Sequence, residues 1–467
     1  MGKILHPRDW GLRVSSNGEL KIGDFSAAAL AHTYGTPLHV VNESRLEETV
    51  NNFRESVESS YPGKTSVHFA YKCNSVPAIA QMIRAAGLKA EVMSEFELDL
   101  AFYLGHDKKE IIVNGPCKTD SFLRKCLKKQ VRLIIVDSLD ELRALDQISL
   151  QENKEADILL RINPDYTPRG VNKGAATGSR KGCAFGFDLK GGEVAVGLRL
   201  LKKMRNVNFF GFHFHIGTGL RDPKDYSKSL RCLDQLLAFT RSAGLPIKIL
   251  DVGGGFASMT SRELTSRELL VYQGLERFPS GLRKDKTAEF KDFAREISNS
   301  ITGYFPKNEL PELLYEPGRC IVSPNQFLLL TVHRVKDRPG IRKWLITDGG
   351  LGTVTMPTYY EYHEVFLCND VTRPRTEKVT IIGPVCFASD IVYRNKLMPQ
   401  VYPGEVLAVM DSGAYFTAME SSFGFARPAI ASVNQKTHRL IRRAETFEDM
   451  VCRDHIDNLI KIKEEIK

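Results

Sequence analysis

The stretch Ser66-Val67-His68-Phe69-Ala70-Tyr71-Lys72-Cys73-Asn74-Ser75 is a β-prone run that closes on a lysine with small or apolar flanks. Such a lysine is poorly placed to stay hydrated, and desolvation disfavours its ammonium form. A neutral amine at a strand end is a nucleophile that condenses with aldehydes. The bland alternative is a surface lysine just past a strand. What lies downstream decides between the two.

Outward from this run, short β-branched segments alternate with helix-length amphipathic ones, as a parallel sheet with crossover helices requires. Eight such runs stand out: 66–71, 89–93, 110–114, 132–136, 157–161, 208–214, 247–252 and 313–316. Eight is the strand count of a (β/α)8 TIM barrel. Two wider gaps read as loop-like insertions. One covers 170–186; the other runs from 258 to about 286 and carries the tandem pair Thr260-Ser261-Arg262-Glu263-Leu264 and Thr265-Ser266-Arg267-Glu268-Leu269. Upstream, 19–22 and 38–42 read as strands and 43–59 as a charged helix. After about Cys320 the helix-length crossovers stop, and 327–335, 344–348, 379–382 and 406–410 read as strands joined by turns. The expected organisation is therefore a barrel over 44–320 and a β domain over 321–467, completed by N-terminal strands from 1–43 and ending in a helix at 445–466.

At 467 residues, with 42% hydrophobic and 26% charged content, the chain suits a folded protein of two or three domains. Its 65 Lys+Arg against 56 Asp+Glu give +9. These charges are scattered, so anionic small ligands are expected and nucleic acid is not. Nine cysteines, an odd number without CxxC spacing or a His/Cys cluster, argue against a disulfide framework or a metal site and for a reducing cytoplasm. The first residues lack a signal-peptide core, and no apolar run is long enough to span a bilayer.

Barrel active sites sit at the C-terminal strand ends, where the chain's unusual residues fall. Lys72, Ser94, Asn114, Asn163, His215, Gly253-Gly254-Gly255 and Glu316-Pro317-Gly318-Arg319 follow seven of the eight runs. The glycine triplet can cradle a phosphate or be a plain tight turn. Arg319 and the Thr218 hydroxyl can hold the same anion. His215, which shares a strand face with His213, is a structural histidine or a flat ring for stacking. Glu316 is either an ion-pair partner of Arg319 or an acid for a pyridine nitrogen. In that position it would strengthen the electron sink of pyridoxal phosphate (PLP), the commonest aldehyde cofactor held by a lysine. Cys386, in Gly383-Pro384-Val385-Cys386-Phe387, and Tyr415, in Gly413-Ala414-Tyr415, are buried structural residues or a proton donor and a cofactor contact.

Taken together these motifs resemble the fold-type III PLP-dependent decarboxylases, the group of diaminopimelate and ornithine decarboxylases with an alanine-racemase-like barrel. The likeness runs from Tyr34-Gly35-Thr36-Pro37 to Arg442-Arg443-Ala444-Glu445-Thr446. It implies that Lys72 carries PLP, His215 stacks on its face and Glu316 pairs with its nitrogen. Thr218, Gly255, Arg319 and Tyr415 would hold the phosphate, with Glu91, Gly254 and Gly318 also lining the cofactor. It further implies a homodimer with shared active sites. In that dimer Cys386 protonates the carbanion left after CO2 departs, and Arg319, Tyr360, Glu361, Cys386, Phe387 and Tyr415 face the substrate.

Three positions depart from the diaminopimelate pattern. Met356 stands where an arginine grips the far carboxylate, Phe387 where a glutamate reads the distal amine, and Ala184 where a lysine precedes Phe-Gly. Leaving those substrate charges unpaired costs about 1–3 kcal/mol each. The expectation is decarboxylation of a polar amino acid, a diamino acid or a conjugated one, with Glu361 available to a distal amine. The alternatives are meso-diaminopimelate itself, a racemase on the same fold, or a non-catalytic regulatory relative.

Overall fold

The computed structural model describes residues 5–168, 179–180, 182–276, 288–354 and 360–454. After a small sheet of three short strands (Arg13–Val14, Leu20–Ile22 and Phe25–Ser26) and then β1 (Leu38–Asn42), the chain enters a parallel barrel. Its strands are β2 (Thr65–Ala70), β3 (Lys89–Val92), β4 (Ile111–Val113), β5 (Leu133–Val136), β6 (Ala156–Asn163), β7 (Val207–Phe214) and β8 (Ile249–Asp251). A two-residue strand, β9 (Arg262–Glu263), precedes the last barrel strand, β10 (Glu312–Tyr315). Pairing of β10 with β2 and of β5 with β6 closes the ring. All eight expected runs are found within two residues of their predicted bounds.

Period-two alternation explains how this barrel carries a polar site. One face of the strands packs outward against the helices through residues such as Val67, Phe69, Ala90, Val92 and Val113. The other face fills the interior with Ile112, Leu133, Ile135, Leu159, Ile249 and Leu314. Two residues further along the same interior face stand Asn114, Asp137, Arg161, Asp251 and Glu316. An apolar plug thus lies beneath a ring of polar side chains at the C-terminal ends. In β7 the register slips between Phe209 and Gly211. This bulge lets both Phe210 and His213 face inward despite their odd spacing. Only glycine fits there, since a Cβ on Gly211 would lie 1.9 Å from Ile249 O.

The second sheet contains β11 (Gln326–Arg338), β12 (Arg342–Thr347), β14 (Arg375–Ile382), β15 (Ile391–Pro399), β16 (Val406–Val409), β17 (Ala429–Val433) and β18 (His438–Arg442), while β13 (Glu361–Tyr362) pairs with β9 in a separate two-stranded ribbon. The main path of the second sheet runs β15-β14-β12-β11-β1-β17-β18, with β16 on β11. The N-terminal strand β1 lies inside this sheet, antiparallel to β11 and parallel to β17. No helix among the described residues is long and apolar enough to cross a membrane.

Two expectations need correction. The insertion after 258 is not a loop throughout, because Ser266–Leu275 is a helix and 262–263 form β9. The sequence reading also passed over β15, β17 and β18, whose runs are short or interrupted by charge. Of the terminal helix, Phe447–Val451 is described and 455–467 lie outside the described residues.

Candidate active site

Lys72 sits in a single 3-10 turn, Tyr71–Cys73, directly after β2. Its Nζ is 2.7 Å from Glu91 Oε2 of β3, and its side chain is 29% exposed. Burial works against its charge, yet Glu91 and Glu316 outweigh it and hold the ammonium above the ordinary lysine range. The expectation of an amine neutral by desolvation alone is therefore corrected. The carboxylate that reverses it comes from another strand. Burial, reinforced by Glu316, in turn raises Glu91.

Glu316 is buried at the end of β10. Asn114 donates to it at 3.3 Å and His213 Nε2 lies 3.3 Å from its other oxygen. Burial disfavours its charge, but His213 and Lys72 prevail and keep the carboxyl well below the usual range. Asp251 of β8 moves the opposite way. Burial and then the Glu316 charge push it well above the carboxylate range, so Asp251 holds a proton and Glu316 is the anion. Ligand atoms of His213, Asp251 and Glu316 lie within 4.8 Å of one another, a spacing that a metal ion could also use. The linear sequence does not signal this trio because three separate strands supply it. Sequence reasoning placed His213 on the strand face of His215 but gave neither it nor Asp251 a role, although period-two counting back from the glycine turn leads to Asp251 as well. His215, just past β7, is driven down to about 3 by burial and by Arg161, which leaves a neutral flat ring.

Next to this cluster the 253–255 turn packs so closely that a Cβ on Gly255 would stand 2.1 Å from Gly217 O. Arg319 is buried; its Nε reaches Thr218 Oγ1 at 3.4 Å and its guanidinium lies 5.0 Å from the Tyr415 ring centre. Tyr415 N–H donates to Cys73 O at 2.9 Å and Asn74 Nδ2 donates to Gly413 O at 2.9 Å, which joins the 413–415 loop to the Lys72 turn. Gly318 lies against Cys73. Arg319 does not pair with Glu316. Its partner is Glu361, at 2.7 Å, whose second oxygen is 3.1 Å from His363 Nε2. Glu361, expected to be available to a substrate amine, is held in place by Arg319 and His363. Tyr360 is half-buried beside it.

Cys386 and Phe387 occupy an exposed turn between β14 and β15. Asp390 fixes that turn by accepting from Val385 N at 2.7 Å and Leu351 N at 2.5 Å. Among the described residues no hydrogen bond or ion pair joins Cys386 or Phe387 to the Lys72 cluster within one chain. Met356 lies outside the described residues.

The residues present fit PLP. They offer an amine for its aldehyde, an anion held ionised for its ring nitrogen, a neutral imidazole for its face, and a close-packed glycine turn with a hydroxyl and a guanidinium for its phosphate. Comparison with known proteins points the same way. The family described as "Pyridoxal-dependent decarboxylase, pyridoxal binding domain" matches residues 43–323. The diaminopimelate decarboxylase of Methanocaldococcus jannaschii is 30% identical over 443 residues, covering 94% of this chain and 95% of that protein. That of Bacillus subtilis is 28% identical, covering 95% and 96%. The crystal structure of the M. jannaschii enzyme with L-lysine superposes with a TM-score of 0.84 at 29% identity, over 96% of this chain and 98% of that one. A lysine/ornithine decarboxylase from Vibrio vulnificus, complexed with putrescine, shares the fold at TM-score 0.68 and 20% identity, over 87% and 96%.

Proposed function

The chain belongs to the pyridoxal-dependent decarboxylases and is an amino-acid carboxy-lyase that uses PLP; from that premise we propose that Lys72 carries the cofactor and that the substrate is a diamino acid. PLP, when bound, supplies an electron sink for the charge left by a departing carboxylate. Glu316, kept ionised by His213 and Lys72 while Asp251 holds a proton, would favour a proton on the ring nitrogen. His215 would lie against the ring as a neutral imidazole. Thr218, Gly254, Gly255, Gly318, Arg319 and Tyr415 would bind the phosphate, and Glu91 would orient the Lys72 amine. Cys386 would come from a second copy of the chain and place a proton on the carbon that lost CO2, with Phe387 and Tyr360 walling the substrate.

The observation that supports this reading best is the convergence of Lys72, from the first barrel strand, and Glu316, from the eighth, on one end of the barrel, with Glu91 of the second strand against the amine. A second reading, meso-diaminopimelate as substrate, is favoured by what the M. jannaschii and B. subtilis relatives are named for. The test is a CO2-release screen of the PLP-loaded protein on meso-diaminopimelate, lysine, ornithine, arginine, glutamate and conjugated diamino acids. Release from at least one diamino acid, abolished by Lys72→Ala, is expected. Inversion without CO2 would indicate a racemase, and no turnover with any compound a non-catalytic relative.

A further inference from the structure

The tandem repeat at 260–269 has no part in the chemistry so far, yet its first copy reaches the site. In the β9–β13 ribbon Glu263 stands directly opposite Glu361. Residues so opposed have Cβ atoms about 4.5–5.5 Å apart, where like charges repel. A Cβ on Gly219 would lie 3.5 Å from the Glu263 carboxyl, which sets Glu263 against the loop bearing His215 and Thr218. Its charge acts on both Arg319 and Tyr360. Arg221, which donates to Ser261 O at 3.0 Å, braces the same segment. Two carboxylates therefore converge on one guanidinium, and the nearer of them, Glu361, is fixed from behind by His363.

A carboxylate on a substrate side chain that reached this ribbon would meet two like charges, the nearer cation Arg319 having its Nη1 already taken by Glu361. A side-chain cation would meet the reverse. We infer that Glu361 and Glu263 read the far end of the substrate and select an amino acid whose side chain ends in an ammonium or guanidinium over one that ends in a carboxylate. This rests on the decarboxylase reading above and narrows it.

The test compares kcat/KM for L-lysine, meso-diaminopimelate and L-norleucine in the PLP-loaded wild type and in Glu263→Gln and Glu361→Gln. The wild type should favour lysine over both others by tenfold or more, and each variant should lower the lysine-to-norleucine ratio at least tenfold. A wild-type preference for meso-diaminopimelate, or an equal loss on every substrate that leaves the ratio unmoved, overturns the inference. Glu263 is less buried than Glu361, so its variant keeps the test usable if Glu361→Gln does not fold. Calorimetric titration of the PLP-loaded protein with 1,5-diaminopentane and with 1-aminopentane needs no turnover. Binding of the diamine should be tenfold tighter or more, and equal binding contradicts the assignment. If no amino acid releases CO2, the decarboxylase reading fails, while this titration still decides the charge preference.

Discussion

With Glu91 at 2.7 Å and Glu316 adding to its field, the Lys72 amine is held protonated at neutral pH, so capture of an aldehyde begins with loss of that proton. The folded amine's pKa lies above that of an ordinary lysine. The free-amine fraction therefore rises about tenfold per pH unit throughout the neutral and mildly alkaline range. PLP capture by the cofactor-free protein should accelerate with pH accordingly. Glu91→Gln removes the nearest counter-charge, leaves desolvation less opposed and lowers the amine's pKa. Its capture rate at pH 7, followed by absorbance, should be several-fold faster than wild type; a slower rate would contradict the assignment. Desolvation of Lys72 was legible from its neighbours in sequence. Its reversal was not, because the deciding charge stands on the next strand.

The pentapeptide Thr-Ser-Arg-Glu-Leu occurs twice in succession and folds two ways. The first copy supplies β9, and the second opens the helix Ser266–Leu275. Thr265 and Glu268 form a reciprocal capping box, the signal that marks a helix start, whereas the first copy is drawn into pairing with β13. Local sequence could have revealed the helix through that box, but tertiary pairing alone decides the strand. The barrel strands were legible because apolar runs of fixed spacing leave little choice of period. β15 and β18 were not, because charges such as Arg394, Lys396 and Arg439 interrupt the apolar pattern within the strand, and β17 was not because it is a run of only five residues. Thr265→Ala removes a cap worth about 1 kcal/mol. Hydrogen exchange should show faster opening across 266–275, with little change in the barrel strands.

Across the whole molecule, buried Asp411 ties three regions together. It accepts from Trp10 Nε1 at 2.8 Å near the N-terminus, from Thr260 Oγ1 at 2.5 Å in the insertion, and from Ser323 Oγ at 3.4 Å after the barrel. The Cys386 turn, by contrast, faces outward beside the exposed rings of Phe387, Phe423 and Phe425. An apolar patch at that turn is what a second copy would cover if it received Cys386. Dimerisation with shared sites then makes a quantitative prediction. Equal amounts of Lys72→Ala and Cys386→Ala proteins, each inactive alone, should regain about a quarter of wild-type activity after mixing and subunit exchange, since half the dimers carry one intact site. No recovery in mixed dimers confirmed by native mass spectrometry would rule out sharing. The most direct measurement is borohydride reduction of the PLP-loaded protein followed by peptide mass spectrometry. The pyridoxyl phosphate mass should lie on the peptide that contains Lys72 and on no other; its absence there, or its presence on another lysine, would contradict the account.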